Sequence, residues 1–352
     1  MAKNKSTWHL FTGASDPPAE GPRALPEPPP WRRLGANQHK KKRLRRQWNQ
    51  RELDVVNAAL HLRRPILVQG EAGSGKSMMA YDLAYELGLG HVLEWPINSR
   101  TEVRRALYDY DAVGRLQEAT ILAHTPRQQN APPPRPPPVH QYIQLGPLGT
   151  ALAYEAHPRV LLIDELDKCD IDLPNDLLFY LEQARFTIPE ISRAHEIEAR
   201  AGQNNPDKVH VRPHDFDPAH PEQTPQIEVI KGQVLCRHFP IVVMTSNFQR
   251  DFPPPFLRRC LRLKLEPPTN RDEALREATN IANSQLPGGD AVEAASTYVQ
   301  ALVDRRAAGE VLANDQLLNA LYLTGRTWDD KEDARRIETL ALDTLLRNLR
   351  KS

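Results

Sequence analysis

PILVQGEAGSGKS, residues 65–77, joins a short apolar run to a glycine-rich turn. Pro65 to Gln69, bounded by proline and glycine, reads as a buried parallel strand. Gly70, Glu71, Ala72, Gly73, Ser74, Gly75, Lys76 and Ser77 satisfy the pattern GxxxxGK(S/T) in full. Helical spacing then runs from Lys76 to Leu87, with Gly88 as its stop. Strand, glycine loop and helix are the unit needed around a phosphate. Glycines let backbone N–H groups turn inward, and the helix adds its positive end. Lys76 sets a cation against the β and γ phosphates of a nucleotide, and Ser77 offers a hydroxyl to Mg2+.

The matching chemistry lies further along. Val160-Leu161-Leu162-Ile163 is the strongest strand signal in the chain and ends in Asp164-Glu165. A buried strand ending in two carboxylates is costly unless something cationic compensates. The economical account puts Mg2+ on Asp164 through water and gives Glu165 the task of orienting and polarising the attacking water. Adjacent strand residues point to opposite sides, which suits two different roles. Two surface acids beyond a strand end are the plainer alternative. Asn247 closes another apolar strand, Ile241–Thr245, where an amide can hydrogen-bond the attacking water or the γ-phosphate, or simply make a turn. Phe252-Pro253-Pro254-Pro255-Phe256-Leu257-Arg258-Arg259-Cys260 brings two arginines to the start of a strand. An arginine donated across a subunit boundary neutralises charge developing on the γ-phosphate; a pair of surface arginines is the plainer reading.

Around these segments the 352 residues divide into three parts. Residues 1–49, with PEPPP at 26–30 and the basic run HKKKRLRR at 39–46, have no repeating apolar face and read as a disordered tail. Residues 50–268 alternate helix and strand signals, and 269–352 read as helices at 270–284, 289–308, 314–323 and 331–350. The expected fold class is therefore α/β: a P-loop αβα core with a parallel sheet, then a small all-α domain. Within the core, Tyr108–Ala123 reads as helical and the proline-rich stretch 125–140 as an extended loop. Pro147–Ala156 reads as a short helix, and Phe186–Ile188 pairs with Val234–Cys236 as a hairpin. The segment 192–226 shows no periodicity and reads as a long excursion.

Composition narrows the function classes. Lys and Arg total 46 against 45 Asp and Glu, a net charge of +1, so a wholesale polyanion-binding surface is not expected. The basic run at 39–46 is more often a solvated tail than a nucleic-acid contact. No run of 18 apolar residues spans a membrane, and the first residues lack a secretory apolar stretch, so the expected location is the cytoplasm. Cys169, Cys236 and Cys260 stand alone, without zinc or disulfide spacing.

The phosphate loop, the Asp164-Glu165 pair, Asn247 and the arginines, in this order, resemble the AAA+ ATPases. The text between them is similar to the MoxR group: LVQGEAGSGKS, YIQLGPLGTAL, RVLLIDELDKCDIDLPNDLL, FTIPE, VVMTSNFQRDFPPPFLRRC and the terminal NDQLLNAL. The resemblance covers about residues 50–350. It implies that Asp164 and Glu165 are the Walker B pair, Asn247 is sensor 1, and Arg259 is the arginine finger at the family's DRF-like step. Arg258 stands where the family has Asp, so either arginine is a candidate. The helical domain becomes a lid, and two insertions fall at about 99–145 and 186–237. The stretch Glu310-Val311-Leu312-Ala313-Asn314 offers no sensor 2 residue, and the proline-rich segment 126–138 is longer than expected. The group further implies a ring, usually a hexamer, with ATP at subunit interfaces. It remodels partner proteins, frequently ones carrying a metal-binding von Willebrand factor A domain.

Two functional classes compete. One is an ATP-driven remodeller of partner proteins; the other is a nucleotide-gated scaffold that hydrolyses slowly and recruits effectors. Glu165 favours the first, because a pure binder has no need of a water-activating carboxylate. A GTPase is weakly supported: Asp167-Lys168-Cys169-Asp170 is only loosely an NKxD. A small-molecule kinase leaves Asn247 and Arg259 unexplained.

Overall fold

The computed structural model describes residues 8, 25–29, 48–124, 136–200, 207–221, 225–266, 271–285, 290–310, 312–325 and 330–346. Most of the 1–49 tail and of the 126–138 segment lies outside the described residues. The described residues form two compact units, one within 50–69 and 79–263, the other within 1–49, 70–78 and 264–352.

The first unit begins with α1 (Gln50–Leu62) and β1 (Ile66–Gln69). Pro65 ends the helical stretch, because the residue before proline is driven out of the α region. There follow α2 (Met78–Glu86), β2 (Leu93–Pro96), α3 (Val103–Leu107), β3 (Tyr108–Tyr110), α4 (Ala112–His124), β4 (Ile143–Leu145) and α5 (Pro147–Ala153). Next come β5 (Val160–Asp164), α6 (Leu173–Gln183), β6 (Arg185–Thr187), α7 (Pro189–Arg200), β7 (Lys208–Val211), β8 (Ile227–Ile230) and β9 (Gln233–Leu235). The unit closes with β10 (Ile241–Ser246), α8 (Pro254–Leu257) and β11 (Leu261–Lys264).

The main sheet has the order β11-β1-β10-β5-β2, and β1, β10, β5 and β2 run parallel. All six residues of β10 and the first four of β5 are buried, as expected of parallel strands covered on both faces. Fully covered side chains such as Leu67, Leu161 and Ile163 each stabilise the unit by roughly 1.5–3 kcal/mol. The carboxyl ends of β1, β10 and β5 share one edge, the edge at which open α/β sheets bind ligands.

Two sequence expectations need correction. Tyr108–Tyr110 is not helix. It pairs antiparallel with Ile143–Leu145, burying Tyr108, and the helix starts only at Ala112. Pairing with a distant strand overrides the local pattern here. The segment 192–226 is not an unstructured excursion either. It contains most of α7 and all of β7, and a second sheet forms in the order β6-β9-β8-β7. The expected pairing of Phe186 with Val234 is present, and β8 reaches β9 through Lys231-Gly232, both with positive φ, as a two-residue hairpin turn demands. Helix α7 buries only Ile191 among its described side chains, so it carries no apolar stripe to read. Its sheet instead buries Phe186, Val211, Ile227, Val229 and Val234 in the unit's core, and polar contacts fix the chain just after β7. Leu145 N–H donates to the Arg212 carbonyl at 2.8 Å, His214 N–H to Thr150 Oγ1 at 2.8 Å, and buried Arg159 pairs with Asp215 at 2.7 Å.

The second unit adds α9 (Arg271–Gln285), α10 (Asp290–Ala307), α11 (Asn314–Thr324) and α12 (Lys331–Leu340). Tyr298, Leu302, Leu312, Leu317 and Leu321 form its core. The expected helix over 331–350 breaks at Leu340 and continues as one π-helical turn, Ala341–Leu345. Among the described residues no helix is long and apolar enough to cross a membrane.

Candidate functional site

In the second unit the loop Gly70–Ser77 turns with Gly73 at φ +76° and Gly75 at φ +83°, values that side chains resist. Helix α2 begins at Met78, two residues later than its sequence spacing predicts, with Met78 N–H on the Gly75 carbonyl at 3.0 Å. Lys76 is 7% exposed, and its Nζ donates to the carbonyls of Gly70 at 3.1 Å and Glu71 at 2.7 Å. The loop thus curls around its own ammonium. Gly73 has a further contact: its carbonyl accepts from Asn314 Nδ2 at 2.9 Å, at the first residue of α11. Sequence reading found no role for Asn314, since only tertiary packing brings it to a loop 241 positions away.

In the first unit, register places Gln69 beside Ser246 and Met244 beside Ile163, so Thr245 falls level with Asp164. Thr245, wholly buried, donates to Asp164 Oδ1 at 2.6 Å and accepts Glu165 N–H at 2.8 Å. One hydroxyl therefore fixes both members of the acid pair. Glu165 sits in the left-handed region at φ +60°, a conformation costing a non-glycine residue about 1–3 kcal/mol. That turn lifts its side chain off the strand, where its carboxylate meets Lys168 Nζ at 2.6 Å. The hydrogen bond to Glu165 holds the Lys168 ammonium above the ordinary lysine range.

Asp167 is 5% exposed and accepts two backbone N–H groups at one oxygen, from Asn247 at 2.8 Å and Gln249 at 3.1 Å. Its second carboxylate oxygen is buried without a hydrogen-bond partner among the described residues. Asp167 therefore anchors the turn after β10 and serves the fold, which removes the chemical basis for reading Asp167–Asp170 as a guanine-recognition motif. Asn247 is held by its backbone and is half-buried, and Phe248 beyond it has φ +60°. Neither Thr245 nor Asp167 was singled out from the sequence as a site-building residue.

The two arginines differ. Arg258 is exposed, its carbonyl accepting from Arg64 at 3.4 Å. Arg259 forks onto Glu182 of α6, through Nε to one carboxylate oxygen and through a terminal nitrogen to the other at 3.4 Å.

A parallel sheet with a GxxxxGK(S/T) loop after one strand and an Asp-Glu pair closing another defines a P-loop nucleotide-binding protein with an α/β core and a helical carboxyl-terminal region. The chain belongs to the AAA domain family, dynein-related subfamily, whose model matches residues 65–247. It has no match among curated protein sequences. Among solved structures it is similar to NtrX from Brucella abortus in complex with ADP: 12% identical, over 89% of this chain and 59% of that one, TM-score 0.42. The ATP complex of the same NtrX is 14% identical over 83% and 56%, TM-score 0.37. A point variant of RuvB from Thermotoga maritima is 12% identical over 84% and 70%, TM-score 0.37. The chain spans about three fifths of the NtrX chains it matches.

Proposed function

We propose that this chain is a Mg2+-dependent ATPase that works as a ring, of hexameric type, to remodel a partner protein in the cytoplasm. The observation that carries the reading is the acid pair built by Thr245, which sets Asp164 and Glu165 at the carboxyl edge of the sheet in different environments. Gly70 to Ser77 supply the phosphate cradle, with Glu71, Ala72 and Ser74 contributing backbone and Lys76 exchanging its loop carbonyls for β- and γ-phosphate oxygens.

Ser77 and Asp164 offer hydroxyl and carboxylate oxygens, the hard donors that suit Mg2+. Among the described residues no cluster of three or more His, Cys, Asp or Glu is poised for a metal, and a site of this type needs only one or two protein oxygens beside substrate phosphates. When bound, the ion neutralises phosphate charge. Glu165 releases Lys168, accepts the proton of the attacking water and directs it at the γ-phosphate, while Asn247 orients that water. Arg259 leaves Glu182 to stabilise the transition state on a neighbouring subunit.

We assign residues 50–268 to the ATPase core and 269–352 to the lid. The partner surface falls to the insertions at about 99–145 and 186–237. A MoxR-like partner carrying a von Willebrand factor A domain is the working candidate. Mixing Lys76→Ala with Arg259→Ala protein tests the shared site. Partial return of ATPase activity in the mixture, absent from either variant alone, is the expected result. No return at any ratio contradicts it. A parallel series with Arg258→Ala shows which arginine crosses over.

A further inference from the structure

The start of α11 is built around the phosphate loop. Arg306 of α10 points its fork at the turn before α11: Nε and a terminal nitrogen reach the Leu312 carbonyl at 3.1 and 2.6 Å, and the terminal nitrogen also reaches Asn314 Oδ1 at 2.8 Å. With its oxygen engaged, the Asn314 amide presents its NH2 group to the Gly73 carbonyl at 2.9 Å. Gln316 reaches back to the Ala313 N–H at 2.8 Å, fixing the same turn from the other side. Asn314 is 7% exposed, and a Cβ added at Gly73 would lie 2.7 Å from the Ala313 Cβ. Gly73 is therefore required twice, by its positive φ and by this close approach.

A planar trans peptide points its carbonyl and its following N–H in opposite directions. A hydrogen bond that draws the Gly73 carbonyl to Asn314 thus turns the Ser74 N–H to the opposite side of the peptide, where it donates to the Glu71 carbonyl at 3.2 Å, a turn bond that a phosphate oxygen would replace. That N–H belongs to the set that cradles phosphate in loops of this pattern. We infer that Asn314, oriented by Arg306, is a positioning residue that holds the Gly73–Ser74 peptide ready for phosphate and couples nucleotide occupancy to the first turn of α11. The inference rests on the reading of Gly70–Ser77 as a nucleotide loop and supplies a lid connection where no sensor 2 residue is found.

Two measurements on the full chain test it. Asn314→Leu keeps the volume and adds no charge but removes the donor. A fluorescent ADP analogue should bind about fivefold to tenfold more weakly, the effect of one well-placed hydrogen bond. A purely structural role lowers the melting temperature and leaves the affinity of the folded protein unchanged. Independently of any variant, amide hydrogen exchange on the wild-type chain, with and without ADP, should slow at 70–77 and at 313–318 together. Slowing at 70–77 alone, or wild-type affinity in Asn314→Leu, overturns the coupling and leaves the nucleotide reading intact. Absence of slowing at both, with no analogue bound, overturns the nucleotide reading and the inference with it.

Discussion

Replacing Glu165 with Gln lowers ATP turnover by about 10²–10⁴-fold while nucleotide still binds, the range over which a positioned general base acts. Gln retains the shape and loses the basicity, so water is held but its proton has nowhere to go. Stability should hardly change, because the Glu165–Lys168 pair is half exposed at both ends, and such pairs contribute about 0–1 kcal/mol. Turnover and unfolding therefore separate the roles: a chemical Glu165 affects the first, a structural one the second. Turnover at the wild-type rate removes Glu165 from the chemistry and moves the protein toward the slow scaffold reading.

The second large effect is on Asp167. Asp167→Ala leaves the buried turn after β10 without the acceptor of two backbone N–H groups, at Asn247 and Gln249. Hydrogen bonds to a charged acceptor contribute about 1.5–3 kcal/mol each, and their loss is only partly recovered by relaxation. We expect a loss of about 3 kcal/mol in urea unfolding, and a fall in turnover because Asn247 is no longer held. Asp167→Asn keeps an acceptor oxygen and should cost less than half as much. Equal losses in the two variants would place the effect in the charge of Asp167 instead of its hydrogen bonds.

What the sequence disclosed follows from how local each signal is. Strand β1, its glycine loop, the apolar run of β5 with its acids, and the terminal helices are contiguous patterns whose meaning needs no partner. The α/β core and its helical end were legible for that reason. Thr245, Asp167 and Asn314 act across sequence separations of 80 or more, and their partners are set by strand register or helix packing. No local pattern encodes that. Helix α7 was missed because it lies on the surface with a single buried residue, and β3 because Tyr108 and Tyr110 acquire their conformation from β4. For β7 and β8 a signal was present: Val209 and Val211, then Ile227 and Val229, alternate as half-buried strands do. The arginine fork on Glu182 also adds what sequence could not: in the single chain Arg259 has an intramolecular partner.

The central claim, ATP hydrolysis at interfaces between copies of this chain, is tested most directly by specific ATPase activity against protein concentration, with mass photometry in ATP and in ADP on the same samples. The account predicts activity per chain that rises with concentration in step with the appearance of rings. Activity per chain that stays constant across the range, from a species of one chain's mass, would contradict it.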